Sequence, residues 1–140
     1  MSNDIISIRE KLQSQKIVNM QLDPNGACNV GCWYCPVAYV GNPAHAKKDL
    51  LHKIFLDFFT EQRKEDGLVG REFSGFYTAH YNEILLYKHF EFLLQECRAF
   101  RYRFMVLSNG TTLSKKKVDL LAEYPDVVSG LNLNIPIFSD

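Results

Sequence analysis

Long apolar stretches are missing from this 140-residue chain. The longest, such as the run ending at Met105–Leu107, reach roughly four residues, far short of the ~18 that a membrane-spanning helix needs. A surplus of either charge is missing too. The 16 Lys and Arg stand against 16 Asp and Glu, so no global field gathers nucleic acid or anionic lipid, and only a local basic patch stays open. There is no low-complexity segment, no short internal repeat and no dividing linker, which leaves one domain at most. The N-terminal MSNDIISIRE carries charges inside any apolar stretch and offers no small-residue cleavage site, so the expectation is a cytoplasmic protein without a signal peptide. Cysteine is scarce, with 4 in all, yet three of them sit within eight residues. In a reducing compartment such a cluster is more often a metal or catalytic site than a disulfide frame.

What remains is ordinary globular material, 46% hydrophobic and 23% charged. Ile5, Ile8 and Leu12 recur at helical steps, which predicts a short helical lead-in over residues 1–16 ahead of a single domain over 17–140. Residues 17–22 alternate as a strand, with Val18, Met20 and Leu22 on one face and Asn19 and Gln21 on the other. A loop carrying the cysteines follows, kept irregular by Gly41, Asn42 and Pro43. A helix is expected from Asp49, its N-cap, with an apolar stripe through Leu51, Ile54, Phe55, Phe58 and Phe59 and a stop near Gly67. A strand over 72–77, a helix over 83–99, a strand over 102–107, a Ser114-capped helix closed by Pro125 and a strand over 127–135 complete the pattern.

Strand–helix alternation of this kind predicts an α/β fold with a parallel sheet and right-handed crossovers. The fourth strand separates a barrel from an open sheet. Leu131, Leu133 and Ile135 alternate there with Asn132 and Asn134, and amides on one face suit a barrel lumen holding a polar ligand. An edge strand with a wet face would give the same pattern.

The cysteine loop reads Gly26-Ala27-Cys28-Asn29-Val30-Gly31-Cys32-Trp33-Tyr34-Cys35-Pro36, a C-x3-C-x2-C spacing. Three thiolates this close can converge on one compact metal centre. A closed structural zinc site takes four protein ligands, and a cubane iron–sulfur cluster ordinarily takes four cysteines. Three local thiols would leave one metal atom with an open position, which a reactive site needs. Cys97 lies on the core stripe of a predicted helix and reads as a buried small hydrophobe. A zinc loop completed by His45 or His52, and a redox or disulfide cluster, are the blander readings.

With Tyr34 as the aromatic before the last cysteine, this loop resembles the cluster motif of the radical S-adenosylmethionine superfamily. The motif stands directly after the first strand, where that family places it. The resemblance implies a partial (β/α) barrel of about three β/α units plus a fourth parallel strand. It implies a [4Fe-4S] cluster on Cys28, Cys32 and Cys35, and S-adenosylmethionine as cosubstrate. Reductive cleavage of the sulfonium would give a 5′-deoxyadenosyl radical that abstracts hydrogen from an organic substrate. An external electron donor such as flavodoxin or ferredoxin is implied as a partner.

Further positions carry the likeness. Asn82-Glu83-Ile84-Leu85-Leu86 looks like a displaced Gly-Gly-Glu-Pro segment with Glu83 as its acid, although the glycines and proline are missing and Gly75 offers another alignment. The plainer reading of Glu83 is a residue in a helix first turn. Leu107-Ser108-Asn109-Gly110-Thr111 resembles the family's Thr-Asn-Gly-Thr segment, so the resemblance sends Ser108 and Asn109 to the cofactor's polar groups; a plain Asn-Gly turn is the alternative. Tyr34 would pack near the adenine, and Asn134 would approach the ribose or the methionine carboxylate. Trp33 would shield the cluster or pack on the rim. His80 and His89 have no partner that the sequence identifies, and Lys115-Lys116-Lys117 reads as a solvated helix face rather than a nucleic-acid site.

The family core has about six β/α units, so the resemblance implies the N-terminal portion of a longer enzyme, with the rest of the barrel as a further partner. The competing functions are a non-catalytic iron–sulfur or zinc module and a remnant that binds the cofactor without turnover.

Overall fold

The computed structural model describes residues 20–35, 44–59, 75–78 and 82–135. The expected lead-in helix over 1–16, the Gly67 stop and His80 lie outside them, as do the side chains of Phe58 and Phe59. Four strands, β1 (Met20–Gln21), β2 (Phe76–Tyr77), β3 (Phe104–Ser108) and β4 (Val128–Leu133), form one sheet in sequential order. Every pair is parallel, as the alternation required. Helices α1 (Lys48–Phe59), α2 (Phe90–Ala99) and α3 (Lys115–Ala122) lie between them in the chain. The sheet is open, with β1 and β4 as its edges among the described residues.

The core forms on one face. Phe76, Phe104 and Val106 point toward Leu51 and Phe55 of α1 and Leu93, Leu94 and Cys97 of α2, and all are at most 2% exposed. Ring contacts tie the layers, with Phe55–Phe76 centroids 5.1 Å apart and Phe90–Phe104 centroids 6.5 Å apart. Burying side chains of this size contributes roughly 1.5–3 kcal/mol each. Register places Gln21, Tyr77, Met105 and Asn132 on the opposite face, which is exposed. The amide-bearing face of β4 is therefore the uncovered one. Leu131 and Leu133 pair with Val106 and Ser108 on the helix side, yet both are about 40% exposed, because no described helix reaches over the edge strand.

Gly75 makes the β2–β3 approach possible. Its φ is +126°, and a Cβ there would stand 2.0 Å from the Arg103 carbonyl oxygen. That carbonyl accepts the Phe76 N–H at 2.8 Å.

Three expected elements differ in detail. Helix α1 starts one residue early at Lys48, so Asp49 sits inside the first turn, where the helix dipole favours a carboxylate. Ser114 does precede α3 in an extended conformation, but its side chain makes no capping bond. The single helix expected over 83–99 is two pieces, a 3-10 turn at Ile84–Leu86 and α2 from Phe90. Glu83 is extended there (φ −109°, ψ 103°) and caps the turn by accepting the Leu85 N–H, and Tyr87 is extended as well. The Tyr87 hydroxyl donates to the Ala46 carbonyl at 2.9 Å, which fixes the break against the start of α1. Helical spacing persisted in the sequence because Ile84, Leu85, Phe90 and Leu93 are all buried, whatever the backbone between them.

Candidate functional site

The cysteine loop is held at both ends by backbone bonds. Gly26 N–H donates to Ala44 at 3.1 Å and Ala46 N–H to Pro24 at 2.7 Å, around an antiparallel bridge between Asn25 and His45. Asn25 is 4% exposed and its Nδ2 donates to the Glu83 carbonyl at 3.1 Å. Glu83 N–H in turn donates to the Ala27 carbonyl at 2.8 Å. Inside the loop a tight turn brings Cys35 N–H onto the Cys32 carbonyl at 2.9 Å.

The loop lies over the C-terminal ends of the strands, where ligands of parallel α/β sheets bind. A cavity of about 320 Å³ opens there, lined by Cys28, Cys32, Cys35 and Tyr34 from the loop. Ser108 and Asn109 from the end of β3, and Asn134 just past β4, line it from the sheet side. The Asn134 N–H continues the β4 pairing by donating to the Ser108 carbonyl at 2.8 Å. Hydrogen bonding to Cys32 lifts the Tyr34 phenol above its ordinary value, while the Asn134 amide draws it back. Trp33 is 84% exposed and meets Tyr34 edge-on at 5.6 Å.

Glu83 sits behind this wall. It is fully buried and does not line the cavity. One carboxylate oxygen accepts the Ser108 hydroxyl at 2.9 Å and the Leu85 N–H at 3.0 Å; the other accepts the Asn109 N–H at 2.7 Å. Three donors satisfy a buried carboxylate that would otherwise be costly. Lys117 reaches in from α3 to donate to the Leu85 carbonyl. Burial lowers the Lys117 ammonium, and the charge of Glu83 raises it in opposition. The basic run is thus not wholly a solvated face, since Lys117 turns inward while Lys115 pairs with Asp119 and Lys116 is exposed. Gly75, the other alignment for the acidic segment, lies before β2 at the far end of the strand.

The model of the radical SAM superfamily matches residues 23–140 of this sequence. The chain belongs to the radical SAM superfamily. Several solved structures share its fold. BtrN in an open conformation superposes with a TM-score of 0.64 at 21% identity, covering 90% of this chain and 53% of that one. BtrN in complex with AdoMet and 2-DOIA gives 0.66 at 18%, covering 91% and 49%. SuiB of Streptococcus suis bound to S-adenosylmethionine gives 0.57 at 16%, covering 91% and 30%. This radical SAM chain spans about half the length of BtrN. No curated protein matches it.

Within this radical SAM fold the residues of the expected site come together, except that Glu83 acts from beneath. The histidines proposed for a zinc loop do not join it. His45 stacks on Tyr87 with centroids 6.0 Å apart, and His52 Nδ1 meets Glu96 Oε2 at 2.7 Å across α1 and α2. Cys97 is fully buried between the helices, and burial pushes its thiol well up. Among the described residues no three His, Cys, Asp or Glu side chains are gathered as ligands of a single ion. The three thiols instead line one cavity, partly exposed to it. Cysteine thiolates are the donors that a [4Fe-4S] cluster takes, one to each iron they bind. The donor set fits a [4Fe-4S] cluster.

Sequence reasoning missed Asn29, Asn82 and Thr111. Asn82 lines the cavity and donates to Asp23 at 2.8 Å. Asn29 Nδ2 donates to Thr111 Oγ1 at 2.7 Å, joining the cysteine loop to the turn after β3. No local signal marks these amides, because each acts on a residue more than fifty positions away.

Proposed function

We infer that this chain is the cluster- and cosubstrate-holding part of a radical SAM enzyme. The observation that carries the reading is one cavity lined by three cysteines from β1's loop and by polar ends of β3 and β4. Cys28, Cys32 and Cys35 hold a [4Fe-4S] cluster. When bound, that cluster and S-adenosylmethionine supply one-electron cleavage of a carbon–sulfur bond and a radical able to take hydrogen from an organic substrate.

The chain's own residues shape the place where this happens. Ser108 donates its hydroxyl proton to Glu83 and accepts the Gly110 N–H at 3.0 Å, which leaves one lone pair on a cavity-lining oxygen to accept from the cosubstrate's ammonium. Glu83 positions Ser108 and the Asn109 backbone rather than touching that ammonium itself. Tyr34 offers a ring face at the rim for the adenine, and Asn134 offers an amide to the ribose or carboxylate. The electron comes from an external donor protein of the flavodoxin or ferredoxin class.

Anaerobic reconstitution with iron and sulfide tests the reading. The expected product is a brown protein whose absorbance changes with S-adenosylmethionine, and which releases 5′-deoxyadenosine under dithionite. A cluster without cosubstrate binding would leave an electron-transfer module, and a colourless chain holding one zinc would remove the enzyme altogether.

A further inference from the structure

The side-chain amide of Asn109 has its orientation fixed by the backbone. Its Oδ1 accepts the Thr111 N–H at 2.9 Å and the Thr111 hydroxyl at 2.6 Å. A backbone N–H can only donate, so the oxygen end of the amide belongs there and the nitrogen end does not. The NH2 group is thereby turned toward the cysteine loop. It donates to Asn29 Oδ1 at 3.1 Å and approaches Cys28 Sγ at 3.8 Å. Asn29 closes the ring by donating to Thr111 Oγ1 at 2.7 Å, so that hydroxyl gives one proton and receives another. Every polar group in the ring has a use, and no flipped arrangement satisfies it equally well.

We propose that Asn109 is a positioning residue that donates an N–H···S hydrogen bond to the Cys28 thiolate and so raises the reduction potential of the cluster held there. The proposal rests on the cluster assignment above. Reduction adds negative charge that spreads onto the ligating sulfurs, and a donor aimed at one of them stabilises the reduced form more than the oxidised form. Hydrogen bonds to cluster sulfurs are among the main controls on such potentials. Both amide protons are committed within the protein, to Asn29 and to Cys28. The amide therefore acts on the sulfur and not on the cosubstrate, which is a different task from the one the resemblance suggests for it. Asn29 and Thr111 hold the donor in place.

The test is a potentiometric titration, followed by electron paramagnetic resonance, of the anaerobically reconstituted chain. Asn109→Leu keeps the volume and removes the donor. Its midpoint potential is expected below wild type, by up to about tenfold in the reduction equilibrium (59 mV for one electron). Asn109→Asp sets a carboxylate oxygen against the sulfur and is expected lower still. Thr111→Val keeps the backbone donor to Asn109 but loses the hydroxyl, and is expected to shift the potential in the same direction by less. An unchanged or raised potential in Asn109→Leu at full iron content overturns the proposal. Where Asn109→Leu does not load, Thr111→Val decides, and no shift there overturns it. A wild-type chain that takes up no iron and sulfide fails at the earlier step, and removes the functional reading together with this one.

Discussion

Glu83 and Ser108 meet at 2.9 Å beneath the cavity, which puts a carboxylate from the segment after β2 under the end of β3. The same carboxylate holds the Asn109 N–H at 2.7 Å. One buried charge therefore sets the height and direction of the wall that faces the cysteines.

Replacing it should loosen that wall. Glu83→Ala leaves the Ser108 hydroxyl and two backbone N–H groups without an acceptor, at a cost on the order of 3 kcal/mol. Glu83→Gln keeps one acceptor oxygen but turns an NH2 against a donor, and should cost about half as much. Urea unfolding reads both. Midpoints equal to wild type would show that the carboxylate holds nothing.

The cysteines should separate cleanly by iron content. Cys28→Ala, Cys32→Ala and Cys35→Ala should each fail to assemble a full cluster on reconstitution. Cys97→Ala should assemble one, and lose only packing, on the order of 1 kcal/mol. Iron missing from the Cys97 variant would point to a fourth thiolate ligand and away from an open position.

Two glycines with positive φ should behave differently. Gly75→Ala drives a methyl group into the Arg103 carbonyl and should cost on the order of 3 kcal/mol or abolish folding. Gly110, at φ +78°, has only the Leu133 and Ile135 side chains near it, at 4.0 Å. Gly110→Ala should cost about 1 kcal/mol, from backbone strain alone. Thermal melts of the pair test the difference, and equal losses would mean that the close strand approach is not what requires Gly75.

Acid should release the contact between α2 and the segment after α3. Arg98 donates to both carboxylate oxygens of Asp126, at 2.6 and 3.0 Å, and these bonds hold the carboxyl below its ordinary value. A carboxyl depressed in the folded state contributes stability that is complete above its unfolded value. That contribution is lost as pH falls through the lower folded value. The urea midpoint of Asp126→Asn should thus lie below wild type at neutral pH, and the gap should close as pH drops below about 4. A gap that does not shrink as pH falls below about 4 would contradict the assignment.

Much of this was legible because the signals were local. The order of strands and helices followed from hydrophobic period and turn residues, and the cysteine spacing marked a loop whose three thiols line one cavity. The parity of Asn132 was readable too, since a strand alternates whatever surrounds it. Glu83 was not readable in the same way. Its acidity at a helix-like start gave no hint that Ser108 and Asn109 would come to it, or that the chain would stay extended there. Tyr87 likewise broke a helix through a bond to Ala46, 41 positions earlier. Long-range partners decided these places, and a single sequence carries no record of who meets whom.

The clasp between Asn25, Ala27 and Glu83 has a consequence for timing. The cysteine loop takes part of its shape from a residue that arrives more than fifty positions later in the chain. A nascent chain emerging only as far as its thiols has no such fastening. The loop gains that fastening only when the segment after β2 docks beneath it, so a piece of the chain ending at the thiols would lack part of what shapes them.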